Sequence, residues 1–135
     1  MKFTSIKNYF LIIFAIAVLA MTGCRSNPVA NYQSQTVPSN IQSASQVKDA
    51  IRSAGASLGW IIAESNDSNK LQGTLNIRKH QAVISIPYSK ENYSLMYQSS
   101  INLDHDESNN SIHNNYNGWL VNLNNAIQLQ LSLVK

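Results

Sequence analysis

Residues 60–103 alternate apolar and polar side chains, and a sheet with one apolar face satisfies that pattern best. In QAVISIPY, residues 81–88, Ala82, Ile84, Ile86 and Tyr88 share one parity. In YSLMYQSSINL, residues 93–103, Tyr93, Leu95, Tyr97, Ser99, Ile101 and Leu103 do the same. Successive strand side chains point to opposite faces, so each run has an inner and an outer side. Pairing Tyr88 with Tyr93 across the turn-like Ser89-Lys90-Glu91-Asn92 sets Ile86 opposite Leu95 and Ile84 opposite Tyr97.

Two further strands fit the same register. LQGTLNIR, residues 71–78, meets the third strand if Lys79-His80 is the turn, with Ile77 opposite Ala82 and Leu75 opposite Ile84. WIIAES, residues 60–65, then places Ile62 opposite Gly73 and Trp60 opposite Leu75. A slip of one residue would reverse every face, so this agreement between strands is the strongest constraint in the chain. Neither Lys79 nor His80 favours the positive φ of a tight hairpin, which makes that turn the weak point. The outer face carries Gln72, Thr74, Asn76, Gln81, Ser85 and Ser94 and reads as solvated.

Helices flank the sheet in sequence. Val47, Ala50, Ile51 and Ala54 form one helical stripe, opened by the capping-box pattern Ser43-Ala44-Ser45-Gln46. Tyr116, Trp119, Leu120, Leu123, Ile127, Leu131 and Val134 keep helical spacing over five turns and outvote the hairpin signal of Asn117-Gly118. The expected fold is α+β: an N-terminal helix, a four-stranded antiparallel meander and a C-terminal helix, with both helices on the apolar face.

The first residues carry a different message. Lys2 and Lys7 precede the apolar run Tyr9 to Met21, and Thr22-Gly23-Cys24 follow. A basic start, a short apolar core and small residues before a cut site describe a secretory signal. Thirteen apolar residues fall short of the roughly 20 that span a bilayer. Cys24, the only cysteine, has no partner for an internal disulfide. Its context resembles the bacterial lipoprotein lipobox, with Met21 where leucine is usual. The resemblance implies cleavage before Cys24, diacylglycerol on its thiol and an acylated amine, an anchor of two or more acyl chains. Arg25 stands where an inner-membrane retention signal has Asp, which implies the outer membrane. The expected division is a signal peptide over 1–23, a flexible tether over 24–42 and one domain over 43–135.

Removing 23 of the 135 residues leaves 112, enough for a single domain. Without Lys2 and Lys7, eight basic residues face seven acidic ones, a net of +1. That balance gives no electrostatic footprint for nucleic acid.

The segments IRKHQAVISIPYSKENYSLMYQSS and IHNNYNGWL resemble a family of small bacterial envelope lipoproteins. The shared features are Gly59-Trp60, Arg78 and His80, Tyr93 to Tyr97, and Ile-His-x-x-Tyr-Asn-x-Trp at Ile112 to Trp119. The resemblance implies a small α+β lipoprotein domain and no particular reaction.

Candidate site residues concentrate late in the chain. LDHDESNNSIHNNYNGW, residues 103–119, holds Asp104, His105, Asp106, Glu107 and His113. No pair has the helical or tight-turn spacing of a zinc site, and the calcium-loop pattern fails where Asn109 replaces glycine and Asn115 replaces glutamate. The stretch therefore reads as a solvated loop with Ser111 or Asn114 capping the last helix. Tyr116 and Trp119 read as core, with a ligand-facing aromatic set including His113 as the other possibility. Arg78 and His80, at a strand junction, could hold an anionic headgroup or glycan, or serve only chain ends. Arg78, His80, His113 and Tyr116 are thus the candidate binding residues, with no metal site and no cofactor expected. No nucleophile elbow or carboxylate pair supports catalysis. The expectation is a non-enzymatic, periplasm-facing outer-membrane lipoprotein, a binding or envelope-maintenance module with an envelope protein or glycan as partner. The rival is a metal-dependent or hydrolytic envelope enzyme using His80, His105 or His113.

Overall fold

The computed structural model describes residues 26–135. The signal segment, Cys24 and the lipobox context lie outside them. The elements in chain order are β1 (Ser26–Pro28), β2 (Tyr32–Thr36), α1 (Ala44–Ser57), β3 (Trp60–Glu64), β4 (Lys70–Ile77), β5 (His80–Pro87), β6 (Asn92–Ile101), β7 (Ser111–His113) and α2 (Asn114–Leu133). The α+β class holds, with two helices among the described residues. The sheet has five strands in the order β2-β6-β5-β4-β3, all antiparallel, and β1 pairs with β7 in a separate two-stranded ribbon.

The expected four-stranded meander is therefore β3 to β6, and β2 extends it along the outer edge of β6. Trp60 pairs with Leu75 and Ile62 with Gly73, as the alternation requires. Tyr88 bridges Tyr93, and Ile84 faces Tyr97. Between β4 and β5 the register lies two residues from the expected one: Leu75 meets Ala82, Gly73 meets Ile84, and Ile77 meets His80. A shift of two keeps every side chain on its face, so the core survives it. The turn is Arg78-Lys79, and Arg78 carries the positive φ of 56°.

A bulge changes the end of β6. Val83 pairs with Ser99 but Ile84 with Tyr97, which leaves Gln98 as the extra residue. Parity reverses beyond it, so Ile101 points outward and is 54% exposed, contrary to its expected place on the apolar face. Leu103 recovers burial after Asn102, which takes the left-handed φ of 56° that asparagine tolerates.

One core joins the inner sheet face to both helices. Leu71, Leu75, Ala82, Ile84, Ile86, Tyr93 and Leu95 of the sheet cluster with Val47, Ile51 and Ala54 of α1 and Tyr116, Leu120, Leu123, Ile127 and Leu131 of α2. Ser43 caps α1 by accepting the Gln46 N–H, and the Gln46 side chain answers, completing the capping box. Gly55 lets α1 lie close to β3, since a Cβ there would stand 2.5 Å from Ile62 Cγ1. Trp119 and Val134 are only partly buried, so the stripe on α2 is narrower than its apolar sequence suggests.

The largest correction concerns residues 26–42, expected to form part of a flexible tether. They form β1 and β2 and bury Val29, Val37 and Ile41. Their apolar residues are too far apart to show a period, and β2 is polar because it is an edge strand that buries little. Among the described residues no helix is long and apolar enough to cross a membrane.

Candidate functional site

The domain has two distinct ends. The C-terminus of β4, the N-terminus of β5 and the C-terminus of β6 meet at one. There Asn102 Nδ2 donates to the Lys79 carbonyl at 2.7 Å, and His80 Nδ1 lies 2.6 Å from the Asn102 carbonyl. The His113 N–H donates to the Leu103 carbonyl at 2.8 Å, which adds β7, β1 and the start of α2 to this near end. The far end holds the 89–92 turn and the C-terminus of α2, where Asn40 Nδ2 donates to the Val134 carbonyl at 2.8 Å. Ten residues of β6 and twenty of α2 run between the ends, each about 30 Å long.

Most of the residues singled out from sequence lie at the near end. Arg78 is exposed on the hairpin tip beside exposed Lys79. Its left-handed backbone is one that glycine or asparagine holds more easily. His80 is half-buried, and its Nδ1 must donate, because its partner is a carbonyl oxygen. His113 does the reverse. It is the N-cap of α2, and its Nδ1 accepts the Asn115 N–H at 3.2 Å. The cap expected at Ser111 or Asn114 is thus supplied by a histidine, while Ser111 sits in β7.

Tyr116 faces inward. It is fully buried, its hydroxyl donates to the Ala30 carbonyl at 3.3 Å, and its ring meets Tyr97 edge-on at 5.6 Å. Burial, helped by nearby Tyr97, pushes its hydroxyl pKa well above the ordinary tyrosine range. As a binding residue it is unavailable, so its role is core and strap contact. His105 also packs against Tyr97, with ring centroids 4.5 Å apart and planes tilted by 33°.

The 104–110 stretch closes on itself. Asp106 bridges Ser111, and its carboxylate accepts the Ser108 N–H and hydroxyl and the Asn109 amide. The Ser108 hydroxyl, then Asn109, holds the Asp106 carboxyl below its usual pKa. Among the described residues no three His, Cys, Asp or Glu side chains converge as metal ligands would. The three histidines serve three separate partners.

What the sequence reading missed is the asparagine set that ties residues 26–31 to the domain. Asn117 donates to the Pro28 carbonyl at 2.8 Å and accepts the Ala30 N–H at 3.0 Å. Asn27 donates to Asn114 Oδ1 at 2.7 Å, and Asn31 Oδ1 accepts the Tyr97 N–H at 2.6 Å. Asn114, Tyr116 and Asn117, at the start of α2, are therefore a clamp on this N-terminal strap. The one sign of it in sequence was the density of asparagine itself. At the far end, an open depression of about 310 Å³ is lined by Val37, Pro38, Ser39, Ile41, Lys90 and Glu91.

No family model, curated protein or solved structure matches this chain.

Proposed function

We propose that this protein is a lipid-anchored envelope lipoprotein, held on the periplasmic side of the outer membrane and acting as a binding or maintenance module rather than as an enzyme. The observation that carries the reading is Cys24, a single cysteine set directly behind a basic start, a 13-residue apolar run and Thr22-Gly23. Two or more acyl chains there make a stable anchor. The non-catalytic part is supported by the employment of the polar side chains at the near end. His80, His105 and His113 each serve a separate structural partner, and the Asp106 carboxylate is consumed by its own loop. An envelope protein or glycan is the proposed partner.

Labelled fatty acid decides the anchor. The wild type should incorporate it and Cys24→Ser should not, and equal labelling of both would remove the lipoprotein reading. Zinc bound in one-to-one amount by the purified domain would replace the binding-module reading with the enzymatic one.

A further inference from the structure

Two peptide links separate Cys24 from Ser26, so their Cα atoms lie no more than about 7.6 Å apart. Ser26 does not begin a loose linker. It opens β1 and pairs with His113, and Asn27, Val29 and Ala30 are hydrogen-bonded to Asn114, the Asn110 carbonyl and Asn117. A lipid on Cys24 would therefore bring the bilayer directly to the near end, with no spacer between. This step rests on the anchor reading above.

The near end also carries groups that suit a phospholipid surface. Arg78 and Lys79 stand side by side on an exposed hairpin tip. Ion pairs among the described residues use Lys48, Arg52 and Lys70, and neither tip cation takes part in one. Arg78 occupies a backbone conformation that its side chain disfavours, at a position where asparagine or glycine would be at ease. A guanidinium fork matches phosphate oxygens, and a lysine ammonium adds a point charge. Asp104, Asp106 and Glu107 lie at the same end, so three carboxylates offset these two cations and the summed field does not draw the domain to an anionic surface. Electrostatic attraction at long range is then a minor part of the contact. The acyl chains supply affinity, and the two cations set orientation.

We propose that the near end rests on phospholipid headgroups, with Arg78 and Lys79 on lipid phosphates. The domain stands on the bilayer in one orientation, with β6 and α2 leading away from the surface and the far-end depression facing outward. An envelope partner would then meet the far end first, about 30 Å from the anchor end.

Cys24 is the only cysteine, and a lipid thioether would block it, so one added cysteine can be labelled uniquely. Full-length acylated protein would be reconstituted in vesicles of phosphatidylethanolamine and phosphatidylglycerol, with acylation verified by mass. A fluorophore at Asn109→Cys, on the near end, should be quenched by headgroup nitroxide lipids several-fold more than one at Lys90→Cys, on the far end. Equal quenching in verified acylated protein overturns the orientation while leaving the anchor intact. A protein that carries no acyl mass removes the anchor and the orientation together. Adding Arg78→Asn and Lys79→Gln should reduce the near-end quenching without lowering thermal stability, because asparagine suits the positive φ. Undiminished quenching in that variant removes the two cations from the contact.

Discussion

The middle of the sheet and the near end of the domain are held by different physics. In the middle, Ile84, Leu95 and Leu120 are completely buried, and stability comes from apolar area taken out of water. Each such side chain contributes about 1.5–3 kcal/mol. At the near end, Asn27, Asn31, Asn102 and His113 hold backbone and side chains by single hydrogen bonds at partly wet positions. A bond of that kind contributes only about 0.5–1.5 kcal/mol net. The middle therefore sets whether the domain folds, and the near end sets the shape into which the first residues are drawn.

Three measurements press on this contrast. The largest effect belongs to the core. Leu120→Ala should cost about 2–5 kcal/mol in urea unfolding, since the lost side chain leaves a cavity beneath the sheet. A loss below about 1 kcal/mol would mean that α2 carries little of the core energy.

The next is alkaline. Burial pushes the Tyr93 hydroxyl up to about 12, partly offset by the hydrogen bond from Gln128. The folded state thus prefers neutral Tyr93 more strongly than the unfolded state does. Its contribution is whole below the ordinary value of 10.0 and is lost as pH rises toward about 12. Two pH units correspond to roughly 2–3 kcal/mol. Unfolding midpoints measured from pH 9 to pH 12 should fall in that window for the wild type and fall less for Tyr93→Phe. Parallel curves would show that Tyr93 is not the group responsible.

The smallest effect tests the near end. Asn117→Ala removes both bonds to the strap and should cost about 1–2 kcal/mol. Amide exchange should quicken at residues 29–32 while β4 and β5 stay protected. Loosening of the whole sheet by this one change would erase the distinction between the two regions.

The same contrast explains what could be read from the chain. Faces were legible from alternation, because burial acts on many residues with a fixed period. Even the two-residue error at the β4–β5 turn preserved them. The capping box at Ser43 and Gln46 was legible because its two partners lie three residues apart. The strap was not. Val29, Val37 and Ile41 are isolated apolar residues, and the neighbours of Val29 are secured by asparagines about 87 positions away, a contact no local pattern announces. The Gln98 bulge was equally silent, since one extra residue leaves no compositional mark, and it moved Ile101 to the outside. Among the candidate residues, Arg78 and His80 lie at the β4–β5 junction, and Tyr116 is buried, in keeping with its leading reading as core and against the ligand-facing alternative.

The ribbon of β1 with β7 also has a consequence in time. A chain is made from its N-terminus at about 5–20 residues per second. β1 is among the earliest parts to emerge, yet its partner strand is among the last. The 87 positions between Asn27 and Asn114 take roughly 4 to 17 seconds to synthesise. During that interval residues 26–28 lack the strand they pair with. Closure of the ribbon is thus a late event, since it waits for residues 111–113.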